Sequence, residues 1–334
     1  MKITIIGSES IDSMESNLKE AFENAGHLVR IFDIKNSFIF KIGGRYANQL
    51  DFLARRYSDY YDSKIFLKLA KDVVDYEPDL VIGVYRFIHP TFVKHIKKAK
   101  IKIVHINPDS LITLEYQQIF AEEYDVYFVK DSYMQRFMKD NMKLNVHLYS
   151  EAFNSRHHIK PNITKEICER EVNIDVMTYG TMYPYRCKML KSVLDAGINL
   201  KVYGVKPHRF YDNSLDQAYQ NKYITGAEKA RLLYGSKIVF NQMHYAEIEG
   251  VNCRFFEVNG SGAFQLSDYR PILHDLLPVD PELVSFKNID EGVEKIKYYL
   301  DHPQERYELA ERVYNHFCDH YSYDNLVKYV LEKV

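Results

Sequence analysis

Residues 249–262 read Glu249-Gly250-Val251-Asn252-Cys253-Arg254-Phe255-Phe256-Glu257-Val258-Asn259-Gly260-Ser261-Gly262. Two carboxylates, Glu249 and Glu257, stand at either end of a short loop that opens a helix. Asn252 is a good N-cap, and the N–H groups of Cys253, Arg254 and Phe255 after it lack intrahelical partners. A helix start of this kind with an arginine in it suits a diphosphate, because donors and helix dipole both favour anions. Glu257 lies little more than a turn further in, where a carboxylate can accept two hydrogen bonds from a ribose diol. These residue types in this order predict a nucleotide site.

Working outward, short apolar runs alternate with helical patterns. In the first half, residues 2–6, 28–32, 80–83, 101–106, 126–129 and 145–148 read as buried strands. Helical spacing separates them at 14–24, 62–76 and 132–141, with Asp12-x-x-Glu15 as a capping box for the first helix. Breakers over residues 150–162 mark a linker, after which the alternation restarts. Strands are expected at 173–179, 199–203, 237–241 and 263–266. Helices are expected at 183–196 and at 226–234, the latter capped by Thr225 with Glu228. From Asn288 the pattern is helical, with Asn288-x-x-Glu291 as its capping signal. Strand–helix alternation implies α/β units, each a parallel sheet covered on both faces. The expected organisation is a Rossmann-like domain over 1–152, a second over 165–318, and a terminal segment 319–334 whose helix (324–333) packs back on the first.

Composition agrees with a globular chain of this kind. At 334 residues it exceeds one ordinary hydrophobic core. Lys plus Arg at 44 against Asp plus Glu at 46 gives no whole-chain argument for nucleic acid. The four cysteines, Cys168, Cys187, Cys253 and Cys318, form no C-x-x-C pair, which predicts free thiols in a reducing cytoplasm and no structural zinc. No apolar run approaches a membrane span, so any membrane contact is expected to be peripheral.

The 249–262 stretch resembles the E-x7-E motif of retaining GT-B glycosyltransferases, and its Asn252, Arg254, Phe256 and Glu257 are similar to the spore-maturation (CgeB-like) members. The similarity extends to Tyr179-Gly180-Thr181 with Tyr183-Pro184-Tyr185-Arg186, to Val202-Tyr203-Gly204, to residues 223–240 and to 284–323. It implies a GT-B fold, with two Rossmann-like domains facing across a cleft, acceptor on the first and nucleotide-sugar donor on the second. It also implies transfer of a sugar from a nucleoside-diphosphate carrier to an acceptor hydroxyl on a glycan, glycolipid, protein or modified nucleic acid; UDP, the commonest partner of such sites, is the first choice of carrier, with GDP and dTDP open. Two other readings of the same architecture are a nucleotide-sugar 2-epimerase and a nucleotide-binding protein without activity.

Ligands of open α/β sheets bind beyond the carboxyl ends of the strands, which directs attention to the loops there. In the second half these loops offer Gly180 and Thr181 with Arg186 for phosphate, His244 and Glu249 for the donor sugar, and Asn252, Arg254 and Glu257 as above. The resemblance places Tyr203, Gly204 and Ile224 near the nucleobase. In the first half, Asp109 is the choice for an acceptor-orienting or basic residue, with His105 and His89 behind it; the basic loop 41–45 is a further candidate. Retaining relatives usually carry a histidine where Asn107 stands here. No D-x-D triplet occurs, and Asp280-Pro281-Glu282 reads as a turn, so no metal or other cofactor is expected.

Overall fold

The computed structural model describes residues 1–34, 45–109, 117–204, 206 and 209–334. The chain divides into two units, one of Met1–Ser150 with Asp324–Val334, the other of Glu151–Tyr323.

The first unit is built on β1 (Lys2–Gly7), β2 (Leu28–Asp33), β3 (Leu80–Gly83), β4 (Lys102–Ile106), β5 (Val126–Val129) and β6 (Val146–Leu148). All pair in parallel, in the order β2-β1-β3-β4-β5-β6. β3 and β5 are buried along their whole length, which is why they read as unbroken apolar runs rather than alternating ones. The chain steps from β1 to β2 on one side and then crosses to β3 on the other. The strand order therefore reverses between β1 and β3.

Local chemistry departs from the sequence reading at the first helix, Met14–Asn24. Its cap is Ser13, whose hydroxyl accepts from Ser16 N, while Asp12 takes a left-handed φ of 65°. Glu15 turns back instead to accept from Ser8 N at 2.9 Å. The helix expected at 62–76 spans Asp59–Asp75, started by Ser58, and is preceded by a helix at Arg45–Tyr57 that periodicity did not single out. That expected at 132–141 is an α-turn over Ser132–Arg136 followed by a π-turn over Phe137–Asn141.

The second unit carries β7 (Ile174–Tyr179), β8 (Leu200–Tyr203), β9 (Ser236–Asn241), β10 (Gln265–Asp268) and β11 (Ser285–Phe286). They are parallel in the order β11-β10-β9-β7-β8, so here the reversal lies between β7 and β9. The capping signal at Asn288 works as read, its side chain accepting from Glu291 N. Thr225 starts the Gly226–Gly235 helix without a side-chain bond, and Glu228 pairs with Lys222 instead of completing a capping box.

The stretch read as a linker is partly core. Glu151, Ala152, Phe153 and Asn154 are all buried. Phe153 forms a parallel bridge with Ser322, its N–H donating to Tyr321 O and its carbonyl accepting from Tyr323 N. The two chain crossings between the units thus brace one another inside the second. Gly260 faces the same ring, and a Cβ there would lie 2.1 Å from it. The final helix, Tyr323–Lys333, returns to the first unit, where Tyr329 donates to Leu148 O at 2.8 Å and its ring edge meets Phe128.

Phe153→Ala leaves a cavity in a core that is only 1% exposed at this residue, so a loss of about 3–5 kcal/mol is expected. The measurement is urea unfolding at constant m-value. Gly260→Ala should lower the midpoint as well, whereas a true surface linker would leave both variants at the parent value.

Candidate functional site

The reversal between β7 and β9 in the second unit is bridged by one side chain. Arg254, in the Cys253–Gly260 helix, donates through one terminal nitrogen to Tyr179 O at 2.6 Å and through the other to Gln242 O at 2.7 Å. These carbonyls close β7 and follow β9 respectively, so the guanidinium ties together the two strand ends where a ligand crevice opens. The helix is held by an amide lattice. Asn252 caps Phe255 N at 3.0 Å, exchanges hydrogen bonds with Asn241, and Asn241 reaches Gln265, which in turn donates to Phe255 O. The cap is as expected. The side chain of Asn252 is committed to this lattice and occupies Phe255 N.

Arg186 stands beside Arg254. Its terminal nitrogen donates to Thr181 O at 2.8 Å, and its Nε is buried with no hydrogen-bond partner among the described residues. Burial and then the positive charge of Arg254 push its pKa down to about 10. Asp268 supplies a nearby carboxylate, accepting from Met243 N, and burial raises its pKa against the pull of Arg270, Arg186 and Arg254. The buried Gln242 adds a carboxamide nitrogen that likewise has no partner. Two guanidiniums and an orphan amide thus converge where the strands reverse. An anion would relieve the repulsion between the cations and satisfy the orphan donors.

Glu257 lies on the same helix. Its Oε2 accepts from the Tyr179 hydroxyl at 2.7 Å and lies 3.3 Å from the ammonium of the buried Lys229. Burial pushes this carboxyl upward, but Lys229, His158 and the Tyr179 hydroxyl outweigh it and hold the pKa at about 2. Tyr179 itself is driven upward by burial and then by the charge of Glu257. Sequence reading missed Lys229 and Gln242. Lys229 did carry a signal, since it sits four residues before the buried Leu233 on the apolar face of its helix, where a lysine needs a partner.

The remaining second-unit candidates divide. Gly180 and Gly204 have φ of 105° and 122°, and a Cβ on Gly204 would meet Gly180 O at 2.4 Å. Glycine is required there for the two strand ends to approach. The main chain of Gly204 is already engaged, its N–H donating to Lys222 O and its carbonyl accepting from the Tyr219 hydroxyl, and Tyr203 and Ile224 are packed in the core. Thr181 is exposed, and its carbonyl is the group held by Arg186. His244 accepts from Ala246 N through Nδ1 and belongs to a cluster of rings with Tyr183, Tyr185 and Tyr245. Glu249 is half-buried in the same loop, while Glu247 is buried and accepts from His244 N.

In the first unit the geometry corrects two expectations. His105 points into the sheet core, 1% exposed, edge-on to Tyr124, with burial pushing its pKa down to about 4. It is a core histidine with no access to a reacting group. His89 is the N-cap of the Pro90–Lys98 helix, accepting from Thr91 N, and its Nε2 lies 3.1 Å from Asp59. Asp109 pairs with Arg86 at 3.1 Å beyond the end of β4, both side chains about half exposed. Residues 41–44 of the basic loop lie outside the described residues.

A family model described as "Glycosyl transferase-like" matches residues 186–332. No curated protein matches the chain in sequence. Solved structures of similar fold include a glycosyltransferase from Rickettsia africae, 13% identical, covering 99% of this chain and 97% of its own, with a TM-score of 0.65. Anabaena HepE in complex with UDP-glucose is 12% identical over the whole of both chains, with a TM-score of 0.69. The lipopolysaccharide outer core galactosyltransferase WaaB is 16% identical, likewise over both whole chains, at 0.60. The fold is GT-B, with a Rossmann-like sheet in each unit.

The low pKa of Glu257 makes a stability prediction. The unfolded carboxyl takes its proton near 4.5 and the folded one near 2. Its contribution is therefore complete above 4.5 and lost as the pH falls toward 2. Chemical unfolding at a series of pH values across that window should show stability declining more steeply in the parent than in Glu257→Gln, whose side chain has no proton to take up. Equal slopes would contradict the ion pair with Lys229.

Proposed function

We propose that the protein is a glycosyltransferase that moves a sugar from a nucleoside-diphosphate sugar to an acceptor hydroxyl, with the donor on the second unit. The observation that carries this reading is the pairing of a cation cluster with an ionised carboxylate at one strand reversal. Arg186 and Arg254 gather at the carboxyl ends of β7 and β9, and Tyr179 contacts both halves of the site, giving its carbonyl to Arg254 and its hydroxyl to Glu257. A diphosphate would lie on the guanidiniums at the positive end of the Cys253–Gly260 helix. Glu257, with Tyr179 and Lys229 both on Oε2, would offer Oε1 to the ribose diol.

Departure of the diphosphate builds negative charge on its oxygens, and donors already fixed in place stabilise that charge without rearranging. Arg186 is such a donor, since its backbone contact to Thr181 holds it while Nε stays unused. On this reading the leaving group is neutralised by arginine and helix terminus, with no metal clamp. UDP is the favoured carrier, a preference supported by the fold shared with HepE, which is solved with UDP-glucose. Glu249 and Glu257 would correspond to the glutamates of the E-x7-E motif, the outcome would be retaining, and the sugar would be a hexose. The acceptor belongs to the first unit, with Asp109, held by Arg86, as the residue closest to the expected orienting role.

Calorimetry with UDP tests the donor site. Glu257→Gln and Arg186→Gln should each weaken binding by about tenfold or more, and Arg186→Gln should slow transfer on the order of 100-fold. EDTA should leave both binding and transfer unchanged. Parent-like UDP affinity in both variants would sink the assignment.

A further inference from the structure

The first unit has a strand reversal of its own, between β1 and β3, and a built recess lies at its edge. The loop leaving β3 is anchored there, since Val84 N and Tyr85 N both donate to Ile6 O of β1. Beside it opens a small recess lined by Phe52, Arg55, Arg56, Asp62, Tyr85, Phe87 and Gln118.

Its walls and its polar groups are segregated. Tyr85 and Phe87 meet edge to face at 5.7 Å, and Phe52, more than half exposed, supplies a third ring. Against these stand the exposed Arg56 and an ion pair, Arg55 Nε to Asp62 at 2.7 Å, with side chains only 10% and 17% exposed. Gln118 presents a carboxamide whose oxygen is buried with no hydrogen-bond partner among the described residues. An orphan acceptor of this kind is costly unless a ligand satisfies it.

We infer that this recess binds a pyranose unit through a vicinal diol. One hydroxyl donates to the Asp62 carboxylate, its neighbour accepts from the Arg55 guanidinium, another donates to Gln118 Oε1, and the ring's C–H face lies on Tyr85 and Phe87. A purely apolar ligand would leave the Gln118 oxygen unsatisfied. That this bound sugar is the transfer acceptor rests on the glycosyltransferase reading; the binding itself does not.

The test uses saturation-transfer NMR on the full chain with the methyl α- and β-pyranosides of glucose, galactose, mannose and N-acetylglucosamine. At least one should receive saturation on its ring protons. That signal should fall in Phe87→Ala and Gln118→Ala, each with an affinity about tenfold weaker. Both variants should keep the parent melting temperature and the parent affinity for UDP. Failure of every pyranoside to show saturation would overturn the inference, as would undiminished saturation in both variants or displacement of the sugar by uridine alone. Pyranoside binding without UDP binding would instead sink the donor assignment and leave the recess standing. UDP binding without pyranoside binding would do the reverse.

Discussion

Arg254 is the interaction on which the second unit's site depends. A parallel sheet whose order reverses leaves two strand ends diverging, with carbonyls that no neighbouring strand can satisfy. Here the carbonyl closing β7 and the one following β9 converge on one guanidinium delivered by the next helix. The fork geometry of arginine makes this feasible, since two carbonyls can be met without bending the side chain. The same contacts fix the helix that carries Glu257, and they put a positive charge where the crevice opens. Scaffold and electrostatics are therefore one device. A lysine could supply the charge but would not span both carbonyls in the same way.

Around this clamp the charges are arranged to be incomplete. Among the described residues, Arg186 is buried beside Arg254 with a donor unused, and Gln242 keeps an amide nitrogen unpaired. Such groups reduce stability in the absence of a ligand and favour anion binding by the same amount of unmet interaction. Glu257 is treated oppositely. Lys229 and Tyr179 neutralise and orient it, so its ionisation is settled before any ligand arrives. The site pairs an unsatisfied cationic part with a fully prepared anionic one, which suits a ligand with a charged diphosphate and a neutral diol.

Much of the fold was legible because parallel sheets impose strong patterns. Strands buried on both faces read as continuous apolar runs, and β3 and β5 fall where those runs predict. Helix starts were legible where the expected cap residue itself accepts from the first turn, as at Asn252 and Asn288. They were misread where neighbours compete. At the first helix Glu15 is claimed by Ser8 N, so the box expected from Asp12 never forms and Ser13 caps instead. The 150–162 stretch does hold the crossing between the units, at Ser150–Glu151, but its burial was not legible. Its breakers are real, but Phe153 is buried by the chain's second crossing, more than 160 residues later, at Ser322.

By itself the sequence determined the alternating α/β architecture, the helix opening at Asn252 and the placement of Arg254 and Glu257 on one short helix, because each follows from local periodicity or a local cap. Only the tertiary structure decided what those side chains touch. Lys229 meets Glu257 across 28 residues of chain, Arg254 spends two donors on strand-end carbonyls, and His105 turns into a core instead of a crevice. Such pairings are set by strand order and by which face of each element is packed. Those are properties of the assembled sheet, and no local pattern encodes them.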